Sequence, residues 1–292
     1  MTTLTADDAA DLFRRDPDRW LDVGEGEAAY RRVGSGPDVL FVHGWPVSGA
    51  TFRLLLPHLV DHVTCHVIDL PSAGSSRFDA DTNLTIAQHI ETVRRVIDLL
   101  ELDEVAVVGH DSGGMIARHA MAGDPRLRAM GLINTEPPDP SWRFKSFLAA
   151  RHLPGFSAGL GWVAGKPRIR RLGLVLGDAF ADSSLLDGEF DEFFLAPLHQ
   201  SRDRCVAATN LLESFDMKYV TGLPAIHKKI DVPVQLVWGD QDPFFPVKNA
   251  EAMVPTFPDA ELSVIEGAGL FSHEEAPAEV ATALLPTLIG TR

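Results

Sequence analysis

The stretch VVGHDSGG, Val107–Gly114, decides how the rest of the chain is read. An apolar run closes on Gly-His, a polar pair follows, and two glycines open what reads as a helix. A nucleophile displayed on a sharp strand-to-helix turn needs small residues two positions before it and two after, because the backbone folds tightly back on itself there. With Asp111 at the tip those positions are Gly109 and Gly113, with Gly114 beyond. With Ser112 at the tip they become His110 and Gly114, and an imidazole is too bulky. The spacing therefore puts Asp111 at the tip. The start of a helix also suits a carboxylate, because free N–H groups there stabilise negative charge. An aspartate that only caps the helix is the plainer alternative, and the two roles are compatible.

Outward from this turn, apolar runs alternate with helical periodicity. DVLFVHG (38–44), TCHVIDLP (64–71), EVAVVGH (104–110), AMGLINTE (129–136), VPVQLVWGD (232–240) and AELSVIEGAG (260–269) read as strands, mostly of the buried kind. Between them, Ile86, Ile90, Val93, Ile97 and Leu100 recur at helical spacing. SGGMIARHAMAGDP reads as a helix ended by Gly123 and Pro125, and PAEVATALLPTLI as a closing helix. Strand–helix alternation predicts an α/β fold with a mostly parallel, doubly wound sheet. The rhythm breaks over 137–224, which has helix-like pieces and no strand alternation. The expected organisation is a core in two parts, 1–136 and 225–292, interrupted by a helical insertion at 137–224.

Composition excludes several classes. A chain of 292 residues that is 45% hydrophobic can bury a sizeable core. A net charge of −15 offers no basic face to phosphates, so no nucleic-acid partner is expected. The one cationic cluster, KPRIRR at 166–171, reads as a solvated face. Two cysteines, Cys65 and Cys205, make neither a disulfide framework nor a metal quartet. The opening MTTLTADDAADLFRRD lacks the basic and apolar regions of a secretory leader, and no apolar run is long enough to span a bilayer, so a cytoplasmic protein without a membrane partner is expected. Nothing specifies an oligomer, a cofactor or a metal.

An aspartate nucleophile narrows the chemistry. Attack by a carboxylate on an ester gives a high-energy anhydride, whereas attack on an sp³ carbon with a good leaving group gives a stable alkyl ester. A halide or a strained epoxide oxygen is such a leaving group. Water then hydrolyses the ester at the aspartate carbonyl, helped by an oxyanion hole. One donor to that hole is expected from the backbone N–H of Ser112, directly after the nucleophile. The other is expected from HGWP (43–46), where Trp45 supplies it.

HGWP, GHDSGG and WGDQDPFFP together resemble the α/β-hydrolase superfamily, nearest its epoxide hydrolase and haloalkane dehalogenase branch. The resemblance covers nearly the whole chain outside the insertion, which is similar in place and length to the helical cap of that branch. It implies an eight-stranded sheet, an active site under the cap, and an apolar epoxide or alkyl halide as small-molecule substrate. It implies a triad ordered nucleophile, acid, histidine, with Asp242 as the acid in GDQDP. Glu136, in LINTEPP, occupies a second place at which the branch carries its acid. It further points to His43, Leu212, Trp142 and Tyr219 as residues of the substrate pocket.

The resemblance fails at the histidine. The branch reads G-x-G-H-F-x-x-E-x-x-P near its C-terminus; here the stretch is GAGLFSHEEAP, with Leu270 in place of the base. His273, three residues on, is either a relocated base or a partly exposed residue of a first helical turn, since SHEE is also a capping box with Ser272 as N-cap and Glu275 at its third position. The cap tyrosines that protonate an opening epoxide are missing too: Leu211 and Leu212 stand where aromatics are expected. Tyr219 either reaches the site or packs at the hinge of the insertion. Ser112 stands where dehalogenases often carry a halide-binding Trp, and Trp45, Trp142 and Trp162 are the candidates to compensate. Four readings follow: an epoxide hydrolase-like or haloalkane dehalogenase-like enzyme with an atypical base; a protein stalled at the alkyl-enzyme; a small-molecule binder without catalysis; and, against the spacing of the turn, an esterase using Ser112.

Overall fold

The computed structural model describes residues 4–291; Met1–Thr3, the start of the stretch read for a leader, and Arg292 lie outside them. The strands are β1 (Arg19–Asp22), β2 (Glu27–Gly34), β3 (Asp38–Val42), β4 (Thr64–Asp69), β5 (Val105–His110), β6 (Leu127–Ile133), β7 (Val234–Gly239) and β8 (Ala260–Ile265). They form one eight-stranded sheet in the order β1-β2-β4-β3-β5-β6-β7-β8. The β1–β2 and β2–β4 pairs are antiparallel and all later pairs are parallel. The parallel strands β4, β5 and β7 are buried along their whole length, which is why they read as continuous apolar runs.

The first two strands were not recognised in the sequence. Both are short or mixed in polarity: β1 is RWLD, and β2 carries Arg31 and Arg32 inside it. Arg31 is nonetheless buried, because its guanidinium bonds Asp69 (3.3 Å) and the carbonyl of Leu12 (2.8 Å).

Helices α1 (Ala6–Arg14), α2 (Ile86–Leu99) and α3 (Ser112–Met121) pack on the first part of the sheet. The face of α2 that carries Ile86, Ile90, Val93 and Ile97 is buried, as its 3.6-residue spacing requires, and Thr85 caps it by accepting the Gln88 N–H. Between β6 and β7 the described residues form helices and no strand: α4 (Trp142–Ala150), α5 (Phe156–Ala164), α6 (Pro167–Arg170), α7 (Ala196–Gln200), α8 (Arg202–Glu213), α9 (Lys218–Thr221) and α10 (Leu223–His227). The chain closes with α11 (Val247–Met253), α12 (Ser272–Glu275) and α13 (Pro277–Leu288). Among the described residues no helix is long and apolar enough to cross a membrane.

The basic cluster at 166–171 is not wholly a solvated face. Arg170 is buried, and its guanidinium bonds Asp187 (2.6 Å) and Asp191 (2.5 Å), so this charge ties α6 into the insertion.

Candidate active site

The link from β5 to α3 is a strained turn. Asp111 sits at its tip with φ +50° and ψ −133°, a conformation disfavoured for a residue with a side chain. Its N–H is anchored to the neighbouring strand's end, at the carbonyl of Asn134 (3.1 Å). The flanking glycines are needed for close approach. A Cβ on Gly109 would lie 2.5 Å from Gly114 Cα, and one on Gly113 would lie 2.2 Å from the carbonyl oxygen of Val42.

The Asp111 carboxylate faces the loop after β3. Its Oδ2 accepts the Trp45 N–H at 2.8 Å. The Trp45 and Ser112 amides both favour its charged form, yet burial and the neighbouring Glu136 carboxyl outweigh them and hold its pKa well above the usual carboxylate range. Ser112 differs: its Oγ is buried and has no hydrogen-bond partner among the described residues.

Asp111 opens onto an apolar chamber between the sheet and the helical insertion. Trp45, Ser112, Glu136, Phe244, Phe245 and Leu270 line it from the core. Phe144, Phe147, Val175, Leu176, Leu211, Leu212 and Phe215 line it from the insertion. The chamber is therefore a concave apolar space with two carboxyl groups at its floor, the usual form of a small-molecule site.

Glu136 follows β6, adjacent to β5, and is buried (1% exposed). Thr135 joins the two acids: its Oγ1 lies 2.7 Å from the Asp111 carbonyl oxygen and 3.0 Å from Glu136 Oε2. Beneath them lies the fully buried Arg118 of α3. Its guanidinium donates to Thr135 Oγ1 (2.9 Å) and to the carbonyl of Glu136 (2.8 Å), but to no carboxylate oxygen among the described residues. Burial lowers its pKa to about 10. Burial also raises the pKa of Glu136, against the pull of its own N–H, of Arg118 and of the Thr135 hydroxyl.

Asp242, after β7, is buried without an imidazole beside it. Its Oδ1 accepts the N–H groups of Phe244 (2.8 Å) and Phe245 (3.0 Å), and its Oδ2 accepts the Asn134 amide (2.9 Å). Burial outweighs these bonds and pushes its pKa up to about 7. Asn134 is a junction that sequence reading missed. Its Oδ1 also receives the Gly239 N–H (3.1 Å) and the Ser272 hydroxyl (2.7 Å).

The loop of Leu270 lies against the chamber. Glu275 clamps it by accepting the N–H groups of Gly269 (2.6 Å), Ala181 (2.9 Å) and Asp182 (3.2 Å), which joins it to the insertion. Leu270 is 8% exposed and presents its side chain to the same cavity as Asp111. No histidine lines that cavity among its described residues.

Several expectations are corrected here. His273 is not a partly exposed helix-start residue: it is fully buried behind the site, bonded to Thr51 Oγ1 (2.8 Å) and packed on His110 with ring centroids 4.4 Å apart. Burial, His110 and Arg53 all disfavour its charged form. The capping box does not form, because the Ser272 hydroxyl goes to Asn134 and Glu275 to the loop clamp; α12 begins after Phe271 with no side-chain cap.

Tyr219 lies outside the chamber, edge-on to His119, whose Nε2–H donates to the Tyr219 carbonyl (2.8 Å). Trp142 is 72% exposed and also outside it. His43 borders a neighbouring cleft rather than the chamber. Its Nδ1–H donates to the Gly44 carbonyl and its Nε2 accepts the Leu70 N–H, so it braces the loop that carries Trp45. His110 does similar work on the other side, donating from Nε2 to the Leu270 carbonyl (3.1 Å).

A mostly parallel sheet with this strand order, a strained acid-bearing turn after β5 and a helical insertion after β6 defines the α/β-hydrolase architecture. The chain belongs to the alpha/beta hydrolase fold family, whose profile matches residues 37–277. A pimeloyl-[acyl-carrier protein] methyl ester esterase of Chromobacterium violaceum is 27% identical over 257 residues, covering 83% of this chain and 92% of that protein. The haloalkane dehalogenase DbeA from Bradyrhizobium elkani superposes with a TM-score of 0.77 at 20% identity, over 91% of this chain and 94% of its own. The epoxide hydrolase CorEH superposes with a TM-score of 0.74, also at 20% identity, over 94% and 99%. At that identity the two structural likenesses establish the fold alone.

Proposed function

We propose that this protein is an α/β-fold hydrolase that uses Asp111 to open a small apolar epoxide, passing through a covalent alkyl ester. The observation that carries the reading is the Asp111 carboxylate on a strained turn, bonded at Oδ2 to the Trp45 N–H and facing an apolar chamber. The amides of Trp45 and Ser112 that hold this charge are positioned to hold the oxyanion when water attacks the ester. Asp242 and Leu270 would then be the acid and base positions of a triad that lacks its imidazole.

Two observations favour epoxide over halide. A halide needs free N–H donors in the chamber, but the Trp45 indole is engaged with the Ala208 carbonyl (3.0 Å), and Trp142 and Trp162 are 72% and 54% exposed. An epoxide oxygen needs a proton donor, and Glu136 lies on the chamber floor. Ester hydrolysis by Ser112, the chemistry named for the Chromobacterium relative, is disfavoured because Ser112 Oγ is buried and bonded to no base.

The test is intact-protein mass spectrometry after incubation with an epoxyalkane and with the bromoalkane of equal chain length, on the parent and on Asp111→Asn. Diol production or a covalent adduct in the parent, absent in freshly prepared Asp111→Asn, is expected. Neither product nor adduct from either compound would leave a binding protein without catalysis.

A further inference from the structure

We infer that Glu136 is both the acid that protonates the opening epoxide and the base that activates water afterwards, so that one residue replaces the absent histidine and the absent cap tyrosines. This rests on Asp111 being the nucleophile. The geometry supporting it is the placement of two carboxyl groups after adjacent parallel strands, both bordering one chamber, with Thr135 Oγ1 bridging the Asp111 backbone carbonyl and the Glu136 carboxyl.

The charges around the pair fix its proton count. Arg118 is the buried cation beneath it, and Asp242 is the next acid acting on Asp111. Two close buried carboxyls do not both ionise, and one negative charge on the pair balances Arg118. Thr135 has one hydroxyl hydrogen, given to the Asp111 carbonyl (2.7 Å), and its oxygen also accepts from Arg118, so the 3.0 Å contact with Glu136 Oε2 is made by a proton on Glu136, while Asp111 Oδ2 accepts the Trp45 N–H and carries the charge.

Asp111 Oδ attacks a ring carbon, the C–O bond of the epoxide breaks, and the oxygen takes the Glu136 proton. The result is a hydroxyalkyl ester and a Glu136 carboxylate. Alkylation has removed the charge on Asp111, so Glu136 ionises beside the Arg118 cation with no negative charge on its partner. It takes a proton from water as the hydroxide adds to the ester carbonyl. It returns that proton to the departing alcohol oxygen as the ester C–O bond breaks. Asp111 emerges as the acid and passes its proton to Glu136, and the pair again holds one proton. Two carboxyls divide acid and nucleophile roles in the same way in retaining glycoside hydrolysis.

A bromoalkane separates the two duties. Bromide leaves without a proton, so Glu136 stays protonated after alkylation and has no base function until it loses that proton to solvent. The parent should therefore turn over the epoxyalkane without lasting adduct, yet accumulate an adduct with the bromoalkane that decays faster as pH rises. In Glu136→Gln, adduct formation should slow by roughly 10²–10⁴-fold with the epoxyalkane but stay near the parental rate with the bromoalkane, and that adduct should persist at every pH. Glu136→Asp should recover part of the epoxyalkane rate.

A merely structural Glu136 would depress both compounds together. Equal losses, or no loss, in Glu136→Gln would overturn the inference while leaving the Asp111 reading intact. So would identical adduct lifetimes from the two compounds in the parent, a comparison that needs no variant. Failure of the parent to form either product or adduct would remove both readings at once.

Discussion

Leu270→His, introduced into Glu136→Gln, asks whether the missing imidazole can be put back. The Leu270 side chain already borders the chamber with Asp111, and its loop is clamped by Glu275, so a side chain of similar size projects into the same space. In Glu136→Gln the bromoalkane ester on Asp111 has no base. An imidazole at 270 should speed its hydrolysis by roughly 10²–10⁴-fold, the usual worth of a positioned general base.

Asp242 supplies an independent magnitude. Its pKa is raised from 3.8 to about 7 in the folded protein, so the stability linked to its neutral form is fully present below pH 3.8 and is lost as pH rises through 7. About three pKa units at 1.36 kcal/mol each amount to roughly 4 kcal/mol lost by pH 8. An imidazole at 270 that donates its ring N–H to Asp242 would favour the carboxylate, lower that pKa and reduce the loss. Urea titrations at pH 5 and pH 8, with and without Leu270→His, measure the difference directly; adduct lifetimes followed by mass spectrometry measure the rate. Adduct decay no faster than in Glu136→Gln alone, together with unchanged pH dependence of stability, would refute the reading of residue 270 as a base position serving Asp111 and Asp242.

Other outcomes follow from single residues. His89 is fully buried with neither ring nitrogen bonded among the described residues, and burial lowers its pKa to about 3, so its contribution to stability is present above pH 6.5 and lost as pH falls. His89→Leu should abolish about 2 kcal/mol of the loss between pH 7.5 and pH 5, read by urea titration; an unchanged acid slope would show that the ring is hydrated or paired. Gly113→Ala sets a Cβ 2.2 Å from the Val42 carbonyl oxygen and should cost at least the upper end of the roughly 1–3 kcal/mol typical of overpacking, seen as a lower thermal midpoint. Asp111→Asn, inactive in alkylation, should raise the midpoint at pH 8, because it removes a carboxylate that burial and Glu136 disfavour; a fall would show that the Trp45 and Ser112 amides depend on that charge.

The parallel strands and α2 were legible because complete burial and one-sided burial leave distinct periodicities in sequence. The antiparallel edge was not, because β1 is four residues long and β2 buries an arginine through partners far away in the chain. At the site, Gly109, Gly113 and Gly114 marked the turn, since a Cβ at any of them meets backbone or the Thr135 side chain within 2.7 Å. Asn134, Thr135 and Arg118 carried weaker signals: polar residues closing an apolar strand, and an arginine within a helix that the core surrounds. SHEE was misread because a local capping pattern competes with tertiary partners, and here Asn134 and the Leu270 loop took both side chains.

The departures from the expected motif share one physical consequence. Asp242 is buried without an imidazole, and the Phe244, Phe245 and Asn134 donors only partly offset the cost of its charge. Among the described residues that line the chamber, the titratable side chains are the carboxyls of Asp111 and Glu136. A single imidazole would have served as base only, with tyrosines needed for the acid. The Asp111–Glu136 pair over Arg118 can do both, because alkylation itself removes one charge of the pair and thereby changes Glu136 from acid to base. On the proposed mechanism a chamber without histidine or tyrosine among its described lining residues lacks neither acid nor base, and the rate of bromoalkane ester hydrolysis against pH measures whether Glu136 supplies both.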